Sequence, residues 1–75
     1  MTSELLLASG VALYGERWQS ELARDLDVTD RTIRRWLAGD QPVPSGVAVD
    51  LLRLVTERAS DIDELIPMLK RAGAP

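Results

Sequence analysis

Three of the nine basic residues of this chain fall within five positions: Arg31, Arg34 and Arg35, in the segment VTDRTIRRWLAG (residues 28–39). The chain as a whole has 12 acidic residues and a formal net charge of −3, so bulk charge does not account for the cluster. A guanidinium is permanently charged and presents its N–H donors as a planar fork. That fork suits bidentate hydrogen bonds to phosphate oxygens or to O6 and N7 of guanine. Other chemistry has few residues to work with. The chain contains no histidine and no cysteine, so it lacks the commonest general base, the commonest metal ligand and any thiolate or disulfide. Carboxylates gather in DIDE (61–64), but without the loop spacing and glycine of a calcium site. They read instead as the opening of a helix. No catalytic residue, metal, cofactor or small-molecule ligand is expected.

Helices must position these arginines. The apolar spacing is helical throughout, and no stretch alternates long enough for a strand. A first helix is expected from Thr2 or Ser3, both good N-caps, to Tyr14-Gly15. Its Leu5, Leu6, Leu7, Val11 and Leu13 surround most of its circumference, which predicts burial on two sides, one of them against a partner. A second helix is expected from about Arg17 to Leu26, with Trp18, Leu22 and Leu26 at intervals of four. Asp27 tolerates a left-handed turn, and Thr29 is a candidate cap for a third helix, about Asp30 to Ala38, that stops at Gly39. DQPVPS (40–45) must be a loop, because Pro42 and Pro44 break helices. Ser45 is expected to cap a fourth helix ending near Arg58. Ser60 is expected to cap a fifth, with acids in its first turn and a kink or break at Pro67. RAGAP (71–75) reads as a frayed end.

At 75 residues and 45 % hydrophobic content, one small all-α domain is predicted, near the lower limit for folding on its own core. The core must be aliphatic, since the chain has two tryptophans, one tyrosine and no phenylalanine. Domains of this size without disulfides often gain stability by associating. LLLASGVAL (5–13) has the length of a signal-peptide core, but Glu4 rather than a basic residue precedes it and no clear cleavage site follows. A cytoplasmic protein is therefore expected, with no membrane partner.

Wound at about 100° per residue, the third helix places Ile33, Trp36 and Leu37 on one side and Arg31, Arg34, Arg35 and Ala38 on the other. No lysine or glutamate balances the arginine face. In QSELARDLDVTDRTIRRWLA (19–38), small Ala23 sits where two helices must approach closely. Leu22, Leu26, Val28, Ile33 and Trp36 have the spacing to lock them together. Here the sequence strongly resembles the Cro/C1-type (XRE-like) helix-turn-helix family of phage and bacterial repressors. VTDRTIRRWLAG is similar to its recognition helix, including the W-x-x-G ending at Trp36 and Gly39. The longer run LYGERWQSELARDLDVTDRTIRRWLAGDQPVP is similar to small regulators of bacterial genomes and mobile elements. The resemblance covers about residues 13–58. It departs from the family at Asp27, where the turn often carries glycine.

The resemblance implies a bundle of about five short helices with a lambda-repressor-like fold, a helix-turn-helix at about 17–38, and C-terminal helices at about 45–71 serving core and dimerisation. It implies that the third helix enters the major groove of double-stranded DNA with its N-terminal residues over the base edges. Asp30, Arg31 and Arg35 then occupy base-reading positions, with Asp30 equally well explained as a first-turn acid or as a partner for Arg34. Gln19, Thr29, Thr32, Arg34 and Ser45 become phosphate contacts, Thr29 and Ser45 doubling as caps. Trp18 and Trp36 read as core. The expected function is a sequence-specific transcriptional repressor that occludes its own promoter as a homodimer on an inverted repeat, in a phage or anti-CRISPR operon. An antitoxin-type DNA-binding protein and a helical adaptor that binds no DNA are the alternatives. Leu54, Ile62, Leu65, Ile66 and Leu69 are candidates either for the dimer interface or for the core.

Overall fold

A computed structural model describes all 75 residues. It has four helices and no strand: α1 (Ser3–Tyr14), α2 (Trp18–Leu26), α3 (Asp30–Ala38) and α4 (Ser45–Ala72). α1 and α3 begin, and all of the first three end, as their terminal residues dictate. The Thr2 hydroxyl accepts from the Leu5 N–H at 3.1 Å, which satisfies one of the donors a helix start leaves free. Gly15, at φ 80°, closes α1. Asp27 is the one non-glycine residue with positive φ, 57°. It reverses the chain after α2 so that the Val28 N–H reaches back to the Ala23 carbonyl at 2.9 Å. Gly39, at φ 81°, does the same for α3, with the Asp40 N–H bonded to the Arg35 carbonyl at 3.0 Å. Both reversals satisfy carbonyls that a helix end would otherwise leave bare.

One core of ten buried residues unites these helices: Leu6, Leu13, Trp18, Leu22, Ala23, Ile33, Trp36, Val43, Val47 and Leu51. It is aliphatic apart from the two tryptophans. Leu26, Val28 and Leu54 pack half-buried at its edge. α1 lies against all three other helices, and α2 lies against α3. The six-membered ring of Trp18 covers Gly10 so closely that a Cβ there would stand 2.1 Å from a ring carbon. Two polar links tie distant parts together. The Ser3 hydroxyl donates to the Trp36 carbonyl at 2.7 Å, joining the start of α1 to α3. At the other end of α1, the Arg58 guanidinium donates to the Leu13 carbonyl at 2.7 Å and lies 5.8 Å from the centre of the Tyr14 ring. The Tyr14 hydroxyl in turn donates to Asp25 Oδ2.

The C-terminal half differs from its expected form. One helix of 28 residues replaces the two expected. Ser60 caps nothing, because the chain is already helical there and its backbone N–H groups have carbonyl partners one turn back. Ser45 is not a cap either. Pro44 holds the N-cap position with no side-chain hydrogen bond, and Ser45 is the first helical residue. Pro67 does not split the helix. It removes one backbone donor, and this part of α4 is exposed on every side, which leaves the freed carbonyl open to solvent. Arg71 and Ala72 are helical rather than frayed. At 1.5 Å per residue α4 is about 42 Å long. Its first half packs on α1 and its second half projects from the body, giving extents of 54 × 21 × 20 Å. α1 is buried on one side only, through Leu6, Gly10 and Leu13, while Leu5, Leu7 and Val11 are exposed. No helix is long and apolar enough to cross a membrane.

Gly10→Ala is expected to cost about 1–3 kcal/mol, because the added methyl forces Trp18 out of its seat. Gly46→Ala, with nothing within 4 Å, is expected to cost nothing. Urea unfolding of the two variants checks the pair. Tyr14 supplies a pH test. Burial first, and then the Asp25 hydrogen bond, push its phenol from 10.0 up to about 12. Folding therefore favours the neutral phenol. That contribution is complete below the unfolded pKa and is lost as pH rises through the folded one. Stability is expected to fall between pH 10 and about 12, less steeply in Tyr14→Phe. Since Tyr14 is the only tyrosine, ultraviolet titration of the native and urea-unfolded chain reads the shift directly.

Candidate nucleic-acid interface

The arginine face rests on how α3 is held. Ile33 and Trp36 are buried and Leu37 is half-buried, so three residues anchor the helix to the body. Thr29 has extended backbone, and its hydroxyl accepts from the Thr32 N–H at 3.2 Å, capping the helix as its residue type suggested. The Thr29 and Thr32 hydroxyls also pair at 3.1 Å. On the side away from Ile33 and Trp36, Arg31 and Arg34 are exposed and Arg35 is half-buried. Half-burial of a long arginine is the usual result of packing its methylene stem while the guanidinium stays in water.

None of these three guanidiniums has a partner within the chain. The ion pairs are Arg24–Glu21 at 3.2 Å and Arg53–Glu57 at 3.4 Å, and Arg58 is committed to the end of α1. The Asp30–Arg34 pair expected as one explanation of Asp30 does not form. Asp30 instead accepts from the Ser20 hydroxyl at 2.8 Å through Oδ2. One carboxylate oxygen is thereby spent on joining α2 to α3, and the other is free of protein partners.

The Ser20–Asp30 bond sets the first turn of α2 beside the first turn of α3. Gln19 is half-buried in that same turn of α2, whose N-cap residue, Arg17, makes no side-chain cap. The initial N–H groups of α2 therefore lack side-chain acceptors. Asp30, Arg31, Thr32, Arg34 and Arg35 come together on α3, with Thr29 and Gln19 at its beginning. Ser45 stands apart, exposed in the first turn of α4, and no hydrogen bond joins it to the group. Sequence reasoning missed Ser20, a small polar residue on an exposed helix face whose partner lies ten positions away. It also missed the cluster of Tyr14, Asp25 and Arg58, since no local pattern links three residues on three different helices.

Chemically, the arrangement is a row of unpaired cationic forks on one exposed helix, flanked by two threonine hydroxyls and a helix start with free donors. Every one of these groups can donate to an anion. No groups of three or more acidic side chains lie together in a way that would hold a metal ion. The chain matches no known protein family, no curated protein and no solved structure.

Proposed function

We propose that α2 and α3 form a helix-turn-helix that binds double-stranded DNA, with α3 in the major groove. The observation that carries this reading is the arginine face of α3. Three guanidiniums without partners stand on one side of a helix whose other side is buried. Arg24, Arg53 and Arg58 are paired or otherwise engaged, while the unpaired Arg17, Lys70 and Arg71 lie elsewhere and form no such row on α3. Charges of one sign grouped on a face create a local positive potential that attracts an anion. Arg31 and Arg35 are the base readers, each able to grip guanine through O6 and N7. Arg34, Gln19, Thr29 and Thr32 hold phosphates. Asp30 chiefly positions α3 through Ser20, and its free oxygen is available to a cytosine amino group. Ser45 is a peripheral phosphate contact.

A single recognition helix spans too few base pairs for selective binding in a genome, so the DNA-bound form is a homodimer on an inverted repeat. The regulatory mode that follows most simply is repression. A small dimer seated on a promoter blocks polymerase there, and the protein acts in the bacterial cytoplasm on its own operon, of phage or mobile-element type. The acidic remainder of the chain weakens binding to arbitrary DNA and leaves selectivity to the arginine face.

Ala at Arg31 or Arg35 is expected to cost about 1–3 kcal/mol per half-site and to relax preference at particular base pairs. Arg34→Ala is expected to weaken binding to all sequences and to lower the salt slope by about one. Selection of sites from a random duplex pool, with wild type and each variant, measures both effects. The selected site is expected to be an inverted repeat with half-site centres about 34–36 Å apart. Unchanged affinity and an unchanged site in all three variants would make the face an ordinary solvated surface and return the protein to the class of helical adaptors. A reporter behind the protein's own upstream region is expected to fall when the protein is supplied; a rise would indicate activation.

A further inference from the structure

The chain exposes eleven large hydrophobic residues and buries ten hydrophobic ones. A folded monomer of 8.3 kDa exposes about 4,600 Å² by the usual scaling of surface with mass, whereas this chain exposes 5464 Å². The excess is about 900 Å², close to the roughly 800 Å² that each partner contributes to a standard interface.

The excess is patterned. Along α4, Leu52, Val55, Ala59, Ile62, Ile66 and Leu69 are spaced alternately by three and four residues, the repeat of a coiled-coil seam. All six are exposed. The first four of them also line shallow apolar grooves between α4 and α1, walled on the α1 side by Leu5, Ser9 and Ala12. A groove with a helical seam for a floor and a helix for one wall is shaped for a further helix. Leu65 identifies which helix and in which direction. It follows Leu51 and Arg58 at intervals of seven, on the edge of the seam that meets α1: Leu51 is buried, and Arg58 bonds the Leu13 carbonyl. At Leu65 that edge has run past the end of α1, and the leucine is 49 % exposed.

We infer that the occupant is the distal half of α4 from a second copy, laid antiparallel in the groove, so that each α1 packs against α4 of both copies. In an antiparallel pair, like edges of the two seams face each other. Leu65 of each copy then meets α1 of the other. The register follows from the seam. Leu52 opposes Leu69, Val55 opposes Ile66 and Ala59 opposes Ile62, each pair made twice by the twofold axis. The small side chain of Ala59 makes room for Ile62 at the centre. A parallel pair would set Leu65 beside Lys70 and leave it in water. This interface rests on the homodimer of the reading above, but on none of its DNA contacts, and it separates the earlier candidates. Ile62, Leu65, Ile66 and Leu69 belong to the interface, and Leu54, half-buried against the core, belongs to the domain itself.

The test is made without DNA. Sedimentation of the full chain at micromolar concentration is expected to show a dimer. The double variant Ile62→Asp with Leu65→Asp is expected to show a monomer with unchanged helix content, since both residues are exposed in the single chain. Because the chain has no cysteine, Arg71→Cys carries a single spin label. In the antiparallel register, two labels at position 71 lie about 30 Å apart along the axis at 1.5 Å per residue. Labels separated only by the interaxial spacing, about 10 Å, would overturn the antiparallel arrangement. A monomeric wild type would overturn the interface altogether, as would a dimer that survives both aspartates. Arg31→Ala, measured alongside, is expected to keep the dimer mass while losing DNA affinity, so failure of one reading is visible apart from failure of the other.

Discussion

The contact of Trp18 with Gly10 is the constraint on which the rest of this small domain depends. A core of ten residues has little redundancy, and Trp18 is one of its two large aromatic members. It starts α2, so wherever its ring sits, α2 follows. The absence of a side chain at Gly10 lets the ring lie on the α1 backbone and brings the two helices close. α2 then presents Leu22 and Ala23 to the core and Ser20 to Asp30, and so sets where α3 begins. A glycine inside a helix costs about 0.5–1 kcal/mol relative to alanine, and here the burial of a tryptophan offsets that cost.

The geometry of α3 follows from constraints at both of its ends. Thr29 and the Ser20–Asp30 bond locate its start, and the Gly39 reversal and the Ser3–Trp36 bond locate its finish. Ile33 and Trp36 fix its rotation about its own axis. The backbone that carries the arginine row is thereby fixed, although the guanidiniums themselves make no ion pair. That property matters for the proposed reading of bases, since recognition by hydrogen bonds at a base edge tolerates little looseness in the backbone that carries them.

α4 serves two environments with one apolar stripe. Its first half completes the domain through Val47 and Leu51, and its second half carries the same kind of stripe into solvent. Arg58 marks the boundary. Its guanidinium caps the carbonyl end of α1, where positive charge is favoured by the helix dipole, and it stacks over Tyr14, which is itself hydrogen-bonded to Asp25. Beyond that point no other helix of the chain supports α4. Its exposed apolar stripe there is what the proposed second copy covers.

Much of the fold is set by local chemistry and is legible in the residues alone. The all-α class follows from periodicity, and the bounds of α3 follow from Thr29 and Gly39. Asp27 marks its turn, and the arginine face follows from winding nine residues into a helix. Each of these depends on neighbours within a turn or two, where residue type decides backbone geometry. The length of α4 was not legible. Ser60 followed by acids is a sound helix start and Pro67 a sound helix stop, yet the continuous backbone of α4 overrides both, and reading a break at Ser60 hides the seam that crosses it. It took the packing of the helices to establish that Asp30 bonds Ser20 rather than Arg34, that Arg58 closes α1, and that Leu54 packs against the core while Ile62, Leu65, Ile66 and Leu69 do not. Those outcomes depend on which helices lie side by side, and packing of the whole chain determines that where spacing along it does not.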